Sequence, residues 1–105
     1  MDMFAALADP TRRNIVELLS DSGQMSASDI YTHFKISHPA ISQHLKILRE
    51  ARLVDMEKRA QQRIYGINMQ TMSAVESWIQ RTTKKWNSRL NKLEEFLIND
   101  KGGEE

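Results

Sequence analysis

The sequence predicts a mainly α-helical protein with one small β-hairpin, and three observations support this. Apolar residues recur at helical spacing through most of the chain. Only two short stretches, 53–57 and 63–67, alternate apolar and polar residues as half-buried strands do. The segment 69–98 contains neither glycine nor proline, so it predicts one long helix at the end of the fold.

Composition predicts a single folded domain. The 105 residues are 40% hydrophobic and 28% charged, which is typical of globular proteins. We assign residues 1–98 to this domain and expect 99–105 to form a flexible acidic tail. No cysteine is present, which excludes disulfides, thiolate metal sites and a cysteine nucleophile. We find no leader and no run long enough to span a membrane, so we expect a cytoplasmic protein without a membrane partner.

Charge is concentrated in the middle of the chain. The net charge is only +1, yet the segment 35–63 carries seven basic and three acidic side chains. Such a local excess indicates an anionic partner, although a solvated surface of mixed charge explains it equally well.

The first half of the chain predicts three short helices. The first covers 2–8, and Asp9 with Pro10 then provides an N-cap and a first helical position for a second helix that ends before Ser22. Residues 24–25 are a candidate short strand. Ser26 is placed to cap a third helix that runs through Phe34.

A fourth helix follows after a short turn. Ser37 is its predicted N-cap, its end is near Ala51, and Ile41, Leu45 and Leu48 form one apolar stripe. Two helices joined by so short a turn predict a helix-turn-helix unit. With the hairpin appended, and its tip at 58–62, the order of elements is that of a winged helix-turn-helix protein with a long C-terminal dimerisation helix.

The face of the fourth helix opposite its apolar stripe suits the major groove of DNA. Its side chains include amides, hydroxyls and cations, which bond base edges and phosphates. The predicted DNA-binding residues here are Ser37, His38, Pro39, Ser42, Gln43 and Lys46. Those of the hairpin are Lys58, Arg59, Gln61, Gln62 and Arg63. Both sets also fit an ordinary solvated surface, and His44, near the apolar stripe, fits a structural role as well as base reading.

The last helix carries an apolar stripe too long to bury inside a domain of this size. It is therefore expected to pack against a second copy of the chain. The predicted interface residues on this helix are Met72, Val75, Ile79, Trp86, Leu90 and Leu93. No glycine-rich phosphate loop or supported catalytic triad is present, so we expect neither an enzyme nor a cofactor.

Two segments, FAALADPTRR at 4–13 and ISHPAISQHLKILREA at 36–51, closely resemble the ArsR/SmtB family of bacterial repressors. The resemblance continues through Leu53-Val54 and the hairpin. It implies a homodimer built on the first and last helices, with Phe4 and Leu7 in the interface. It also implies repression through an inverted-repeat operator in double-stranded DNA. Arg12 and Arg13 match a family motif, and we interpret them as structural or phosphate-adjacent.

Departures from the family pattern predict how the protein is regulated. The cysteine pair of the family's metal sensors is replaced by residues 28–31, and the last helix has no histidine. This favours the branch without metal sensing, which includes autorepressors, and leaves any effector unknown. Arg52 stands where a turn glycine is usual, and so do Gln61 and Gln62 in the hairpin.

A different class of function fits the same fold. A winged helix also serves as a protein–protein docking module, which needs an exposed apolar anchor on its outer helix. Ile47 is the only candidate for such an anchor in the sequence.

Overall fold

The structure is a computed structural model that describes residues 1–103, with side chains for residues 1–98. Its elements are α1 (Met3–Leu7), α2 (Pro10–Ser22), β1 (Met25–Ser26), α3 (Ala27–Thr32), α4 (His38–Glu50), β2 (Val54–Arg59), β3 (Gln62–Ile67) and α5 (Met69–Gly103). This order confirms the predicted fold class. Residues 1–72 form one compact unit, and α5 from Ser73 onward belongs to a second.

The predicted helix starts are confirmed by their caps. Asp9, Ser26 and Ser37 each accept a hydrogen bond from the backbone N–H three residues later, at 3.0, 3.1 and 3.2 Å. Each bond satisfies one of the N–H groups that a helix start leaves without a partner, which fixes where the helix begins.

Some predicted boundaries were wrong. α3 ends at Thr32 rather than Phe34, because the His33 N–H closes a tighter bond to the Ile30 carbonyl. The first strand is Met25–Ser26, one residue later than predicted. α5 continues past residue 98 to Gly103. The predicted tail, 99–105, lies outside the residues whose side chains are described.

The sheet has three antiparallel strands in the order β1-β3-β2. β2 and β3, with the turn between them, form the wing, in which Arg59 pairs with Gln62. The turn is therefore only Ala60 and Gln61, and the predicted tip of 58–62 was too long. Main-chain pairing continues there although the side chains no longer alternate, because ladder hydrogen bonds do not depend on side-chain polarity.

The core lies between α2, α3, α4 and the base of the wing. The predicted stripe of α4 is confirmed, since Ile41, Leu45 and Leu48 are at most 1% exposed. The other fully buried large side chains among the described residues are Ile15, Leu19, Ile30, Leu53 and Val54. Burial of this stripe sets the rotation of α4 and so presents its opposite face outward. In the described part of the chain, no helix is long and apolar enough to cross a membrane.

Candidate nucleic-acid interface

The outer face of α4 is exposed along its length. Pro39, Ser42, Gln43 and Lys46 are exposed, on the side opposite the buried stripe. Ser37 and His38 are also exposed, at the helix N-terminus, where backbone N–H groups and the helix dipole favour an anion. All six predicted residues of this helix therefore lie on the solvent side.

Tyr31 of α3 supports the N-terminal half of this face. Its ring stacks on the His38 ring, with centroids 4.3 Å apart and an angle of 11° between the planes. Its hydroxyl lies 2.8 Å from the Ser42 Oγ. Two of the predicted DNA-binding residues are thus held in place by a residue that the sequence analysis missed. No local signal marks Tyr31, because its role depends on the packing of α3 against α4.

A groove of about 550 Å³ separates α4 from the wing. Its lining residues are Pro39, Ser42, Gln43, Lys46, Arg49, Glu50, Arg63 and Tyr65. The α4–wing groove brings together five of the predicted residues and adds Arg49, Glu50 and Tyr65. Lys46, Arg49 and Arg63 make no salt bridge to any described side chain. The groove therefore presents three uncompensated cations beside one acid.

A smaller recess of about 220 Å³ lies between α3 and the wing turn. Gln61, Gln62 and Arg63 line it together with Ser28 and Tyr31. Arg63 borders both concave regions and so connects the predicted hairpin residues to those of α4.

The wing separates its cations onto two faces. Lys58 and Arg63 are directly opposite each other in the ladder, so both side chains lie on one face. Arg59 lies on the other face, where its Nη2 donates to the Gln24 Oε1 at 3.0 Å and to the Glu57 Oε2 at 3.1 Å. Arg59 is thus already occupied within the chain, unlike Lys58 and Arg63.

Arg12 has a structural role, which is one of the two roles, structural or phosphate-adjacent, that the sequence predicted for it. It is 9% exposed, and its Nε donates to the Ala6 carbonyl at 2.7 Å. Its Nη1 lies 3.4 Å from the His44 Nδ1, and that same nitrogen is 3.8 Å from the Asp9 Oδ2. His44 is half-buried in this cluster, which favours the structural role over base reading.

The Asp9 carboxylate is stabilised by the same cluster. The backbone N–H of Arg12 bonds the carboxylate and is the main reason that the pKa of Asp9 is lowered from its ordinary value of 3.8. The charges of Arg12 and His44 lower the pKa further. Arg13 donates to the carbonyls of Leu7 and Ala8, so the motif closes α1 onto α2.

A helix-turn-helix whose second helix exposes a polar, cationic face beside a β-hairpin wing defines a winged helix-turn-helix DNA-binding protein. The family model described as "Bacterial regulatory protein, arsR family" matches residues 9–56. The transcriptional repressor SdpR of Bacillus subtilis (strain 168) is 40% identical over 78 residues, which is 74% of this chain and 86% of that protein. The chain belongs to the ArsR family of bacterial regulatory proteins.

Two further comparisons agree with this membership. The HTH-type transcriptional regulator Rv2034 of Mycobacterium tuberculosis (strain ATCC 25618 / H37Rv) is 38% identical over 78 residues, 74% of this chain and 72% of that protein. The ArsR-like transcriptional regulator from Rhodococcus sp. RHA1 has a TM-score of 0.77 at 29% identity, covering 89% of this chain and 87% of that one. The family consists of DNA-binding transcriptional regulators, not enzymes. This confirms the predicted DNA-binding function and the prediction that the chain is not an enzyme.

The docking alternative receives no support from α4. Ile47, its only candidate anchor, is half-buried and packs against the core. On the described outer face of this helix, the exposed side chains are polar or charged apart from Pro39.

Proposed function

We propose that the chain is a homodimeric repressor that reads an inverted-repeat operator with α4 and is not controlled by a metal. The observation that carries this proposal is the α4–wing groove. Exposed hydrogen-bonding side chains of α4 border one of its sides, and Arg63 of the wing borders the other.

The chemistry of the groove assigns distinct roles to its residues. The Gln43 amide offers a donor and an acceptor, the pair that matches the N6 and N7 atoms of adenine in the major groove. Lys46 reaches a guanine edge or a phosphate. Lys58 and Arg63, on one face of the wing and without acidic partners, suit phosphates or the minor groove.

The exposed apolar face of α5 supports a homodimer. Ile79, Trp86, Leu90 and Leu93 are between 51% and 60% exposed in the single chain. Several large exposed apolar side chains on one helix mark an association surface, and a second copy provides a matching one. Of the other predicted interface residues, Phe4 is exposed, Leu7 and Met72 are half-buried, and Val75 is buried.

Repression and metal independence have separate support. The relative from Bacillus subtilis is named as a transcriptional repressor. The sequence contains no cysteine, and the described residues hold no group of three or more acidic, histidine or cysteine side chains suited to a metal.

Selection of bound duplexes from a random DNA library tests this proposal. The wild-type chain is expected to recover an inverted repeat whose half-sites lie about one helical turn, roughly 34 Å, apart. Gln43→Ala should lose the preference at one position of each half-site, a change of about 1–3 kcal/mol in discrimination.

The matched control is Gln70→Ala, which removes an exposed helical glutamine outside the groove. This variant should select the wild-type sequence. Recovery of no repeat by the wild-type chain, or an identical repeat with Gln43→Ala, would contradict the assignment of this face to the major groove.

A further inference from the structure

A second concave site lies apart from the α4–wing groove, where the end of α2 meets the end of β3 and the first turn of α5. Its volume is about 520 Å³, and its walls include Leu19, Ile67 and Met72. Met69 stands at the rim and is 68% exposed. We call this site the Met69 recess. Its volume is within the range of about 300–1,000 Å³ that small-molecule sites occupy.

The polar groups of the Met69 recess are few and well defined. The hydroxyl of Ser20 is already engaged, because its Oγ donates to the Val16 carbonyl at 2.8 Å. The Gln24 Oε1 accepts from Arg59, whereas the Gln24 Nε2 makes no hydrogen bond to any described group. The recess is therefore an apolar site with one available amide donor.

Gly66 allows Gln24 to lie where it does. A Cβ at this position would be 3.3 Å from the Gln24 Cγ and 3.8 Å from its Nε2, closer than a relaxed contact for the first pair. Gln24 thus lies over Gly66 of the wing strand and lines the recess, and its amide oxygen accepts from Arg59.

We propose that the Met69 recess binds a small, largely apolar molecule with one oxygen acceptor, which accepts a hydrogen bond from the Gln24 Nε2. The two methionines suit such an occupant, since their flexible thioether side chains adapt to ligand shape. A single donor among apolar walls is also the pattern of ligand pockets, in which few polar groups fix orientation.

The position of the recess links its occupancy to the wing. Gly66 and Arg59 lie on the same face of the ladder, opposite to that of Lys58 and Arg63. Neither Lys58 nor Arg63 lines the recess, so a ligand there leaves these two cations of the wing uncovered. It restrains Gln24 and, through it, the guanidinium of Arg59. This coupling rests on the proposed function, whereas binding of the ligand does not.

The first test is a titration of the 105-residue chain, labelled at its methionine methyl groups, with acetophenone followed by NMR. Acetophenone is apolar apart from one carbonyl, and the expected dissociation constant is about millimolar for so small a molecule. The signals of Met69 and Met72 should shift and saturate. Ethylbenzene, which lacks the oxygen, should bind about tenfold more weakly because it leaves Gln24 unpaired.

Two leucine variants isolate the recess. Ser20→Leu places bulk into it from an exposed helical position and should abolish the shifts. Ser22→Leu makes the same change at an exposed position that does not line the recess, and should leave them intact. Unchanged Met25 and Met56 signals show that each variant is folded.

Several outcomes overturn the proposal. These are no saturable shift in the wild-type chain, equal shifts in Ser20→Leu, and equal affinity for ethylbenzene. A Met69 signal that moves with protein concentration alone would show that a second copy covers the recess instead.

A separate arm tests the coupling. Acetophenone at saturation is expected to weaken DNA binding about fivefold in the wild-type chain and not in Arg59→Ala. Saturable methyl shifts without this change would overturn the coupling while the recess remains a binding site. Failure of the chain to bind any DNA would count against the proposed function, since the methyl titration uses no DNA.

Discussion

At the scale of single residues, Arg12 shows how a charged side chain becomes part of the core. The residue is only 9% exposed, and its guanidinium donates to the Ala6 carbonyl and approaches His44. Buried cations require such partners, because desolvation without them is costly. The sequence motif indicated a structural role for Arg12. It did not indicate His44 as the neighbour, since that contact joins α2 to α4 across the core.

Asp9 predicts a pH dependence with a definite sign. Its pKa is lowered in the fold, so its ionised form stabilises the protein above pH 3.8, the ordinary pKa, and this contribution is lost as the pH falls through the lower folded value. Asp9→Asn keeps an equally good N-cap but removes the charge. The wild-type chain should be more stable than the variant at neutral pH in urea unfolding, and the difference should close below pH 3.8.

A constant difference between the two proteins over that range would contradict this account of Asp9. Asp2→Asn is the matched control, because Asp2 also caps a helix but lies on the exposed start of α1.

Arg52 stands where the family usually has a turn glycine, and its backbone conformation shows why glycine is usual there. Its φ is +62°, and its N–H and that of Leu53 donate to the carbonyls of Arg49 and Leu48. This is the Schellman ending of a helix, in which glycine is the favoured residue at the left-handed position. The turn therefore has the left-handed conformation that glycine adopts freely, and the backbone of Arg52 is strained in it.

Arg52→Gly should raise stability by about 0.5–1 kcal/mol, because relief of the left-handed strain exceeds the added freedom of the unfolded chain. Thermal unfolding at a fixed protein concentration measures the change. Arg52→Ala removes the same exposed side chain without relieving φ and should have little effect. Equal effects of the two substitutions would show that the side chain, not the backbone, is responsible.

At the scale of elements, helix starts were predictable and element ends were less so. Asp9, Ser26 and Ser37 are short-range signals, because each bonds a backbone group three residues away. The end of α3 and the length of the wing depend instead on tertiary packing and on ladder pairing. Apolar periodicity predicted the rotation of α4 correctly, and with it the exposed face. The contribution of Tyr31 to that face arises between elements and has no sequence signature.

The contacts within the wing predict unequal roles for Arg59 and Arg63 in binding DNA. Arg63 borders both concave regions and has no acidic partner, whereas Arg59 is bonded to Glu57 and Gln24. Arg63→Ala should weaken binding to all DNA sequences and lower the slope of log affinity against log salt by about one.

Arg59→Ala should reduce that slope by clearly less, because Arg59 must break two bonds inside the chain before it reaches a phosphate. Titrations at two or more salt concentrations give both slopes. A larger effect of Arg59 than of Arg63 would show that the wing approaches DNA with its other face.

At the scale of the whole molecule, the sequence predicted the class of protein, and the absence of metal control stays a prediction. The helix-turn-helix spacing and the hairpin define the fold, and family membership assigns DNA as the partner. The Met69 recess was not predictable, because its walls come from α2, β3 and α5, which are distant in sequence. The apolar stripe of α5 was visible in the sequence, since helical spacing alone reveals it.

The proposed function requires two copies of this chain to read one operator through their α4 helices. It is tested most directly by a fluorescence-anisotropy titration of duplex DNA from upstream of the protein's own gene, with scrambled competitor DNA and two salt concentrations. Binding is expected to resist the competitor and to saturate at two protomers per duplex. Saturation at one protomer, or binding that is lost equally to scrambled DNA and to modest salt, would contradict it.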